Sequence, residues 1–304
     1  MATNFNTNFN LNALSFCSYL FLFFLYYKYL ISTKIQKHKN INTNDNFPRE
    51  KLKNFYVSSI KICGLLCLIL HSYALQKMMF IQGELHFSVS IAFSLIMLLA
   101  MLLYYVENLK YTTLQSLQIL ILPLVLLSIL STIIFTSTKI ITAYTNYNGF
   151  YLHFFSVMLA YSFLTLAAIH AVFMNFISTD LKINLNNNAF ENQQLKALLF
   201  KNLPPLLTLE KILFDTILIG FVCLSFGLIT GLFFSEELLG QPMNFNHKTI
   251  FGIISWITFG VLLLGRYIKG WRGKVAMKLT LTGFTFLILA YLGTHFVLEV
   301  ILKK

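Results

Sequence analysis

Charge is what this sequence has least of. Only 11% of its 304 residues are charged, with 11 acidic and 23 basic side chains, whereas a typical soluble domain carries about 25% charged residues. Proline and tryptophan are also rare, at five and two residues. Hydrophobic residues make up 57% of the chain, and its mean hydropathy is +0.70. This composition excludes an ordinary soluble domain and predicts an integral membrane protein.

The motifs of common enzymes are missing as well. The sequence contains no Walker motif, dinucleotide fingerprint, nucleophile elbow, HExxH, CxxC or CxxCH. We therefore predict that the protein is not an enzyme, and a compact zinc site has no support. All four cysteines lie within hydrophobic runs and are interpreted as packing residues: Cys17, Cys63, Cys67 and Cys223. Cys63 and Cys67 share a helix face, but one helix does not easily close an i, i+4 pair into a disulfide.

What the sequence has instead is a series of long hydrophobic runs. Spanning a bilayer takes about 20 apolar residues as a helix, and helices are the default because lipid cannot satisfy an exposed backbone. Pro123 interrupts the fourth run, but a proline within a membrane helix does not have to end the helix. We predict an all-α, polytopic membrane helix bundle of eight helices, forming a single integral membrane domain over residues 1–304. The runs lie near 12–32, 55–76, 84–105, 114–135, 151–175, 212–234, 248–266 and 279–301.

The basic residues predict the orientation of these helices. Sixteen lysines and arginines fall in the odd-numbered connections, after the first, third, fifth and seventh runs, against five on the opposite side. By the positive-inside rule the sixteen are cytoplasmic, so both termini are predicted to be non-cytoplasmic. Basic loops beside anionic lipid explain the net charge of +12 without a nucleic-acid partner. The principal partner that this topology predicts is the lipid bilayer.

The seven histidines are distributed unevenly on this topology. Two are placed on the inner side, His38 in a loop and His170 near the inner end of the fifth run. The other five lie at or near the outer face, with His86 at the start of the third helix and the rest at the outer ends of runs two, five, seven and eight: His71, His153, His247 and His295.

The histidine spacing restricts which side chains can share a site. His153 and His170 are 17 residues apart, about 25 Å along one helix, so they cannot ligate one centre, whereas His71 and His295 are predicted to share a depth. Imidazole is a common ligand of haem iron. The competing structural interpretation is an interfacial histidine that bonds a neighbouring helix or the lipid headgroups.

Two further features concern the sixth run. Gly227 and Gly231 form a GxxxG, preceded at helical spacing by Gly220, which predicts close helix packing. Asp215 is the only acid that the sequence places close to the core.

The last third of the chain resembles the cytochrome c assembly family, of the CcsA, CcmC and CcmF types. Within the segment Asn246–Trp256, Lys248 and Trp256 fall on matching positions, and Arg266 follows ten residues later, as the family arginine does. The segments Gly270–Gly273 and Tyr291–Gly293 are similar to the family's inner loop and final helix.

Upstream, Leu152-His153 with Ala160-Tyr161-Ser162 is similar to the family's external histidine and its helix. The matches cover about residues 150–301. Residues 204–211 and the segment at His71 look closest to the YpjD and HemX-like branch. The tryptophan-rich loop of the family is absent, and Leu264, His247 and His295 stand where the family has histidine, proline and asparagine.

The resemblance implies a haem-binding or haem-handling multi-pass protein of the bacterial inner membrane, with its site at the outer face. His153 is the expected iron ligand, with His71, His247 or His295 as the second, and Lys248 is the nearest candidate to receive the propionates. The expected partners are other membrane proteins of cytochrome c or haem pathways. One alternative is a cofactor-free regulator or assembly partner of HemX type. A transporter is less favoured, because paired broken helices and buried carboxylates are missing.

Overall fold

The computed structural model describes residues 2–39, 47–135, 139–140, 148–186, 206–239 and 247–295, with side chains for 9–31, 55–111, 114–135, 149–179, 206–233 and 248–291. These described parts contain eight helices that are long and apolar enough to cross a membrane. This confirms the predicted all-α membrane bundle, while the orientation of the termini stays a prediction. The helices are α1 (Ala2–Lys39), α2 (Phe47–Met79), α3 (Val89–Lys110), α4 (Gln118–Ile134), α5 (Asn148–Asn186), α6 (Leu206–Leu239), α7 (His247–Lys269) and α8 (Lys274–His295).

Several helix ends differ from the predicted ones. The helix α6 begins at Leu206 rather than near 212, and α1 continues to Lys39, so that His38 lies in its last turn rather than in a loop. The interrupted fourth run does form a helix, with Pro123 inside α4 after a short 3-10 helix over Thr112–Leu117. Hydropathy locates the apolar part of a helix but not the polar turns that extend it beyond the membrane.

The largest correction concerns the start of the third run. Residues 80–87 form a hairpin of β1 (Phe80–Ile81) and β2 (Glu84–Phe87), joined by Gln82 at φ 55 and Gly83 at φ 85. Two consecutive positive φ values are what a two-residue hairpin turn requires. His86, predicted to begin the third helix, therefore lies in β2, paired with Ile140 of β3 (Lys139–Ile140).

The helix α3 begins after this hairpin at a capping residue. The Ser88 hydroxyl accepts a hydrogen bond from the Ile91 backbone N–H at 3.2 Å. A serine in this position satisfies one of the N–H groups that the first turn leaves without a partner.

Contacts divide the chain into two compact units. The first comprises Met1–Ile141 with Leu181–Leu203, and the second comprises Thr142–Asp180 with Pro204–Lys304. The predicted single domain stays a prediction.

In the first unit α1 packs on α2 and α4, and α3 packs on α2 and α4. Its core is unusually rich in tyrosine, since Tyr19, Tyr26 and Tyr104 are all almost completely buried. Tyrosine hydroxyls need hydrogen-bond partners when they are buried, so this core is partly polar.

In the second unit two side-chain hydrogen bonds hold α8 to its neighbours. The Tyr161 hydroxyl on α5 donates to the Leu287 carbonyl at 3.2 Å, and the Ser255 hydroxyl on α7 donates to the Gly283 carbonyl at 2.9 Å. Both are buried. In lipid, packing and such bonds replace the hydrophobic drive between helices.

Candidate functional site

His153 is the best-defined of the predicted ligands. It is half-buried near the start of α5, and its Nδ1 lies 3.1 Å from the Gly227 carbonyl oxygen and 3.2 Å from the Thr230 hydroxyl, both on α6. A carbonyl oxygen only accepts, and the Thr230 hydroxyl itself donates to the Phe226 carbonyl at 2.7 Å. The hydrogen of a neutral His153 therefore lies on Nδ1, and its lone pair on Nε2.

This tautomer matters because metal-bound histidines usually donate their other ring N–H to a backbone carbonyl or a carboxylate. That bond orients the ring and makes the coordinating nitrogen a better ligand. Gly227 and Thr230 therefore occupy the positions that such supporting groups would take if His153 Nε2 coordinated a metal.

The glycines of α6 let the two helices approach closely here. A Cβ on Gly227 would lie 3.0 Å from the Val157 Cγ2 atom, and one on Gly231 would lie 3.1 Å from the His153 Cε1 atom. At Gly220 it would lie 2.9 Å from two carbons of Leu164. The predicted close-packing face of the sixth run is thus confirmed, and α5 is the helix that it meets.

The surroundings of His153 combine aromatic rings and one cation. Phe150 and Phe154 stack with their ring centroids 5.9 Å apart, and Phe155 is 60% exposed on the neighbouring face of α5. Lys248, exposed at the start of α7, is near enough for its charge to act on the His153 imidazole. The group therefore offers an imidazole, flat apolar surfaces and a positive charge.

His71 has a different environment in the first unit. It is fully buried, its Nε2 lies 2.8 Å from the Ser94 hydroxyl on α3, and its ring makes an edge contact with Tyr19 at 5.6 Å between centroids. Among the described residues, its Nδ1 has no hydrogen-bond partner. To bind haem iron through Nε2, His71 would have to give up the Ser94 bond and become accessible.

Two of the remaining histidines, His170 and His86, have described side chains. His170 is buried on α5, which runs unbroken from His153 and so confirms that these two are too far apart to share a centre. His86 lies in β2. The side chains of His247 and His295, at the ends of α7 and α8, lie outside the described residues. Among the described residues no three His, Cys, Asp or Glu side chains converge as for a metal ion.

A second polar centre, which the sequence did not indicate, surrounds Arg266. Its Nη1 donates to the Glu210 carboxylate at 3.1 Å and to the Trp271 carbonyl at 3.3 Å, and its guanidinium lies 4.6 Å from the Phe214 ring centroid. Glu210 is 6% exposed, whereas Asp215, predicted to be the acid closest to the core, is exposed. The two acids are five residues apart, about 1.4 helical turns, so they lie on different faces of α6, and only packing reveals which of them faces inward.

The comparison with known sequences decides the family. A sequence profile described as Cytochrome C assembly protein matches residues 59–302, about four-fifths of the chain. The chain belongs to the cytochrome c assembly family. The match also takes in residues 59–149, of which the resemblance noted from the sequence included only the segment at His71.

Individual relatives in this family agree with the assignment. The chain is 32% identical over 153 residues to the inner membrane protein YpjD of Escherichia coli K12, covering 50% of this chain and 53% of YpjD. It is 29% identical over 157 residues to the cytochrome c biogenesis protein CcsA of Prochlorococcus marinus strain MIT 9215, covering 48% and 50%. The chain spans about half the length of the curated relatives it matches. The eight described spans and the YpjD match confirm a multi-pass inner-membrane protein.

Proposed function

We propose that this protein binds haem at the outer face of the inner membrane and holds it for a membrane partner of a cytochrome c or haem pathway. The observation that carries the proposal is the hydrogen bond from His153 Nδ1 to the Gly227 carbonyl at 3.1 Å. It leaves Nε2 as the coordinating nitrogen, on a ring whose orientation a neighbouring helix holds. The residue is also the one that matches the external histidine of the family.

The other residues around His153 suit a porphyrin. The exposed ring of Phe155 offers apolar surface, and Lys248 offers a positive charge for a propionate. Bound haem would supply the iron centre and its redox chemistry, while the protein binds and orients it. The proposal is therefore for a binding protein, not an enzyme.

The second iron ligand is to be sought among His71, His247 and His295. Two observations argue against His71: the Ser94 hydroxyl lies 2.8 Å from its Nε2, and the side chain has no exposed surface. We therefore place His247 and His295 ahead of it. His247 is adjacent in sequence to Lys248, whose charge acts on His153.

Absorption spectra of detergent-purified protein, from haem-replete cells and after hemin titration, test the proposal. The wild type should show a Soret band with low-spin features, and His153→Ala should lose it or turn it high-spin. His170→Ala, on the same helix about 25 Å away, is the matched control and should leave the band unchanged. Thr230→Val should keep haem but shift the band, because it removes one of the groups beside Nδ1.

The spectra of the histidine variants can also contradict the proposal. If hemin gives no spectral shift, or a shift that is the same in His71→Ala, His153→Ala, His247→Ala and His295→Ala, the haem proposal is wrong. The cofactor-free assembly partner would then be the better account of the same family membership.

A further inference from the structure

A small polar pocket lies within the first unit, between α1, α2, α3, α4 and the short 3-10 helix. Its interior has room for about one water-sized group. The pocket has a closed wall of buried side chains and an open side of half-buried ones. The closed wall is formed by Tyr26, Ile60, Asn108 and Gln118, and the open side by Lys61 and Gln115.

The pocket lies near one end of the membrane spans that form it. Lys61 is six residues from the start of its span at Phe55, about 9 Å along the helix, and Asn108 is two residues from the end of its span at Lys110. This is the depth at which lipid headgroups meet the hydrocarbon. By the predicted orientation it is the cytoplasmic side of the membrane.

Two oxygen atoms in the closed wall have no hydrogen-bond partner among the described residues: Asn108 Oδ1 and Gln118 Oε1. The two side chains are 2% and 1% exposed. Buried polar groups are nearly always satisfied, so each exception calls for an explanation. An amide oxygen only accepts hydrogen bonds. The missing partner is therefore a hydrogen-bond donor that is small enough to enter the pocket.

The open side of the pocket carries a positive charge. Lys61 lies inside a membrane span, where a lysine is costly unless its ammonium reaches the interface or an anionic group. At headgroup depth the anionic group that a lipid supplies is its phosphate. The pocket thus calls for a donor inside and an anion at its mouth.

A phospholipid headgroup that ends in a primary ammonium meets both requirements. Its ammonium carries three N–H donors in a compact group, as a lysine side chain does, and hydrogen bonds from a charged donor are the stronger ones. A headgroup that ends in a hydroxyl has one donor for the two oxygens. A trimethylammonium has none, and it is larger than the pocket.

We propose that the first unit binds phosphatidylethanolamine in this pocket. The ammonium donates hydrogen bonds to Asn108 Oδ1 and Gln118 Oε1, and the phosphate pairs with Lys61. Because these three side chains come from α3, α4 and α2, the bound headgroup holds three helices together and stabilises the folded unit. The haem site proposed at His153 belongs to the second unit, so either proposal can fail without the other.

Comparing phosphatidylethanolamine with phosphatidylcholine of the same acyl chains tests the site. The two lipids share the phosphate and the net charge, but only the first has N–H donors. Native mass spectrometry of the full-length protein in detergent measures the affinity for the first bound lipid. We expect phosphatidylethanolamine to bind at least about tenfold more tightly, because its hydrogen bonds to the two oxygens are lost in the choline lipid. It should also raise the thermal unfolding midpoint more than phosphatidylcholine does at the same concentration.

Variants separate the two parts of the headgroup. Asn108→Leu and Gln118→Leu should remove most of the preference for phosphatidylethanolamine and leave phosphatidylcholine binding unchanged. Lys61→Gln should weaken both lipids by about the same factor, because both carry the phosphate that Lys61 pairs with. Thermal unfolding in detergent establishes that each variant is folded.

Asn12→Leu and Lys28→Gln are the matched controls. Asn12 is a buried amide of the same unit, near the other end of α1, where it donates a hydrogen bond to the Met78 sulfur. Lys28 is an exposed lysine two residues from Tyr26 that does not line the pocket. Both variants should keep the affinity and the lipid preference of the wild type.

Four outcomes would overturn the lipid site. The first, which needs no variant, is equal affinity of the wild type for the two lipids. The second is an unchanged preference in folded Asn108→Leu and Gln118→Leu. The third is tighter binding of phosphatidylethanolamine by Lys61→Gln, which would mean that the Lys61 ammonium itself fills the pocket. The fourth is displacement of the lipid by an equal concentration of phosphoethanolamine, which would make the ligand a soluble amine.

Discussion

Replacing single glycines by alanine measures how closely α6 approaches α5. Alanine is favoured over glycine inside a helix by about 0.5–1 kcal/mol, so each substitution begins with the same expected gain. At Gly252 the new Cβ would lie 3.8 Å from the Leu228 Cδ2 atom, an ordinary contact. We therefore expect Gly252→Ala to stabilise the protein by up to about 1 kcal/mol.

At Gly227 and Gly220 the gain is offset by a clash. The Cβ at Gly227 would lie 3.0 Å from Val157 Cγ2, with the Val157 backbone N at 3.7 Å behind it. Overpacking of this kind costs about 1–3 kcal/mol, which leaves Gly227→Ala between neutral and about 2 kcal/mol less stable than the wild type. Gly220→Ala should be the least stable, because its Cβ would lie 2.9 Å from both Cδ2 and Cγ of Leu164.

The assay is the free energy of unfolding in an SDS titration of protein in mixed micelles. Tryptophan fluorescence is a suitable signal because both tryptophans, Trp256 and Trp271, lie in the second unit, as the glycines do. The expected order of stability is Gly252→Ala, then Gly227→Ala, then Gly220→Ala. Equal stability of Gly252→Ala and Gly227→Ala would refute the close approach of the two helices at Gly227.

Two further predictions concern the buried ion pair and the orientation. Arg266→Met should destabilise the protein by about 3 kcal/mol, because it leaves the Glu210 carboxylate buried without its partner. Adding Glu210→Gln to this variant should recover part of the lost stability in the same SDS titration. No recovery would show that the two side chains are not coupled. Reporter fusions after Tyr147 and at the C-terminus should report the non-cytoplasmic side, and a fusion near Asn187 should report the cytoplasm; a cytoplasmic C-terminus would contradict the predicted topology.

Much of the candidate site could be predicted one residue at a time, but its connections could not. The sequence indicated His153 through its match to the family's external histidine, and it indicated Gly227 and Gly231 through their spacing. It contained no sign that Gly227 and Thr230 are the partners of His153 Nδ1, 74 and 77 residues away along the chain. Such partners depend on which turn of one helix meets which turn of another.

The same reason accounts for the residues that sequence reasoning misjudged. Asp215 and Glu210 are five residues apart, and an apolar run shows no preference for either of them, so only the packing of α6 places Glu210 beside Arg266.

The sequence by itself determined that this is a polytopic membrane protein of the cytochrome c assembly family, and it located all eight described spans. A span requires only about 20 apolar residues in succession, which is a local property that composition reveals. The tertiary structure alone decided that His86 belongs to a hairpin, that His153 is held by α6, and that His71 is closed off by Ser94 and Tyr19. These depend on the register and rotation of one helix against another, and a uniformly apolar surface carries no pattern that specifies either.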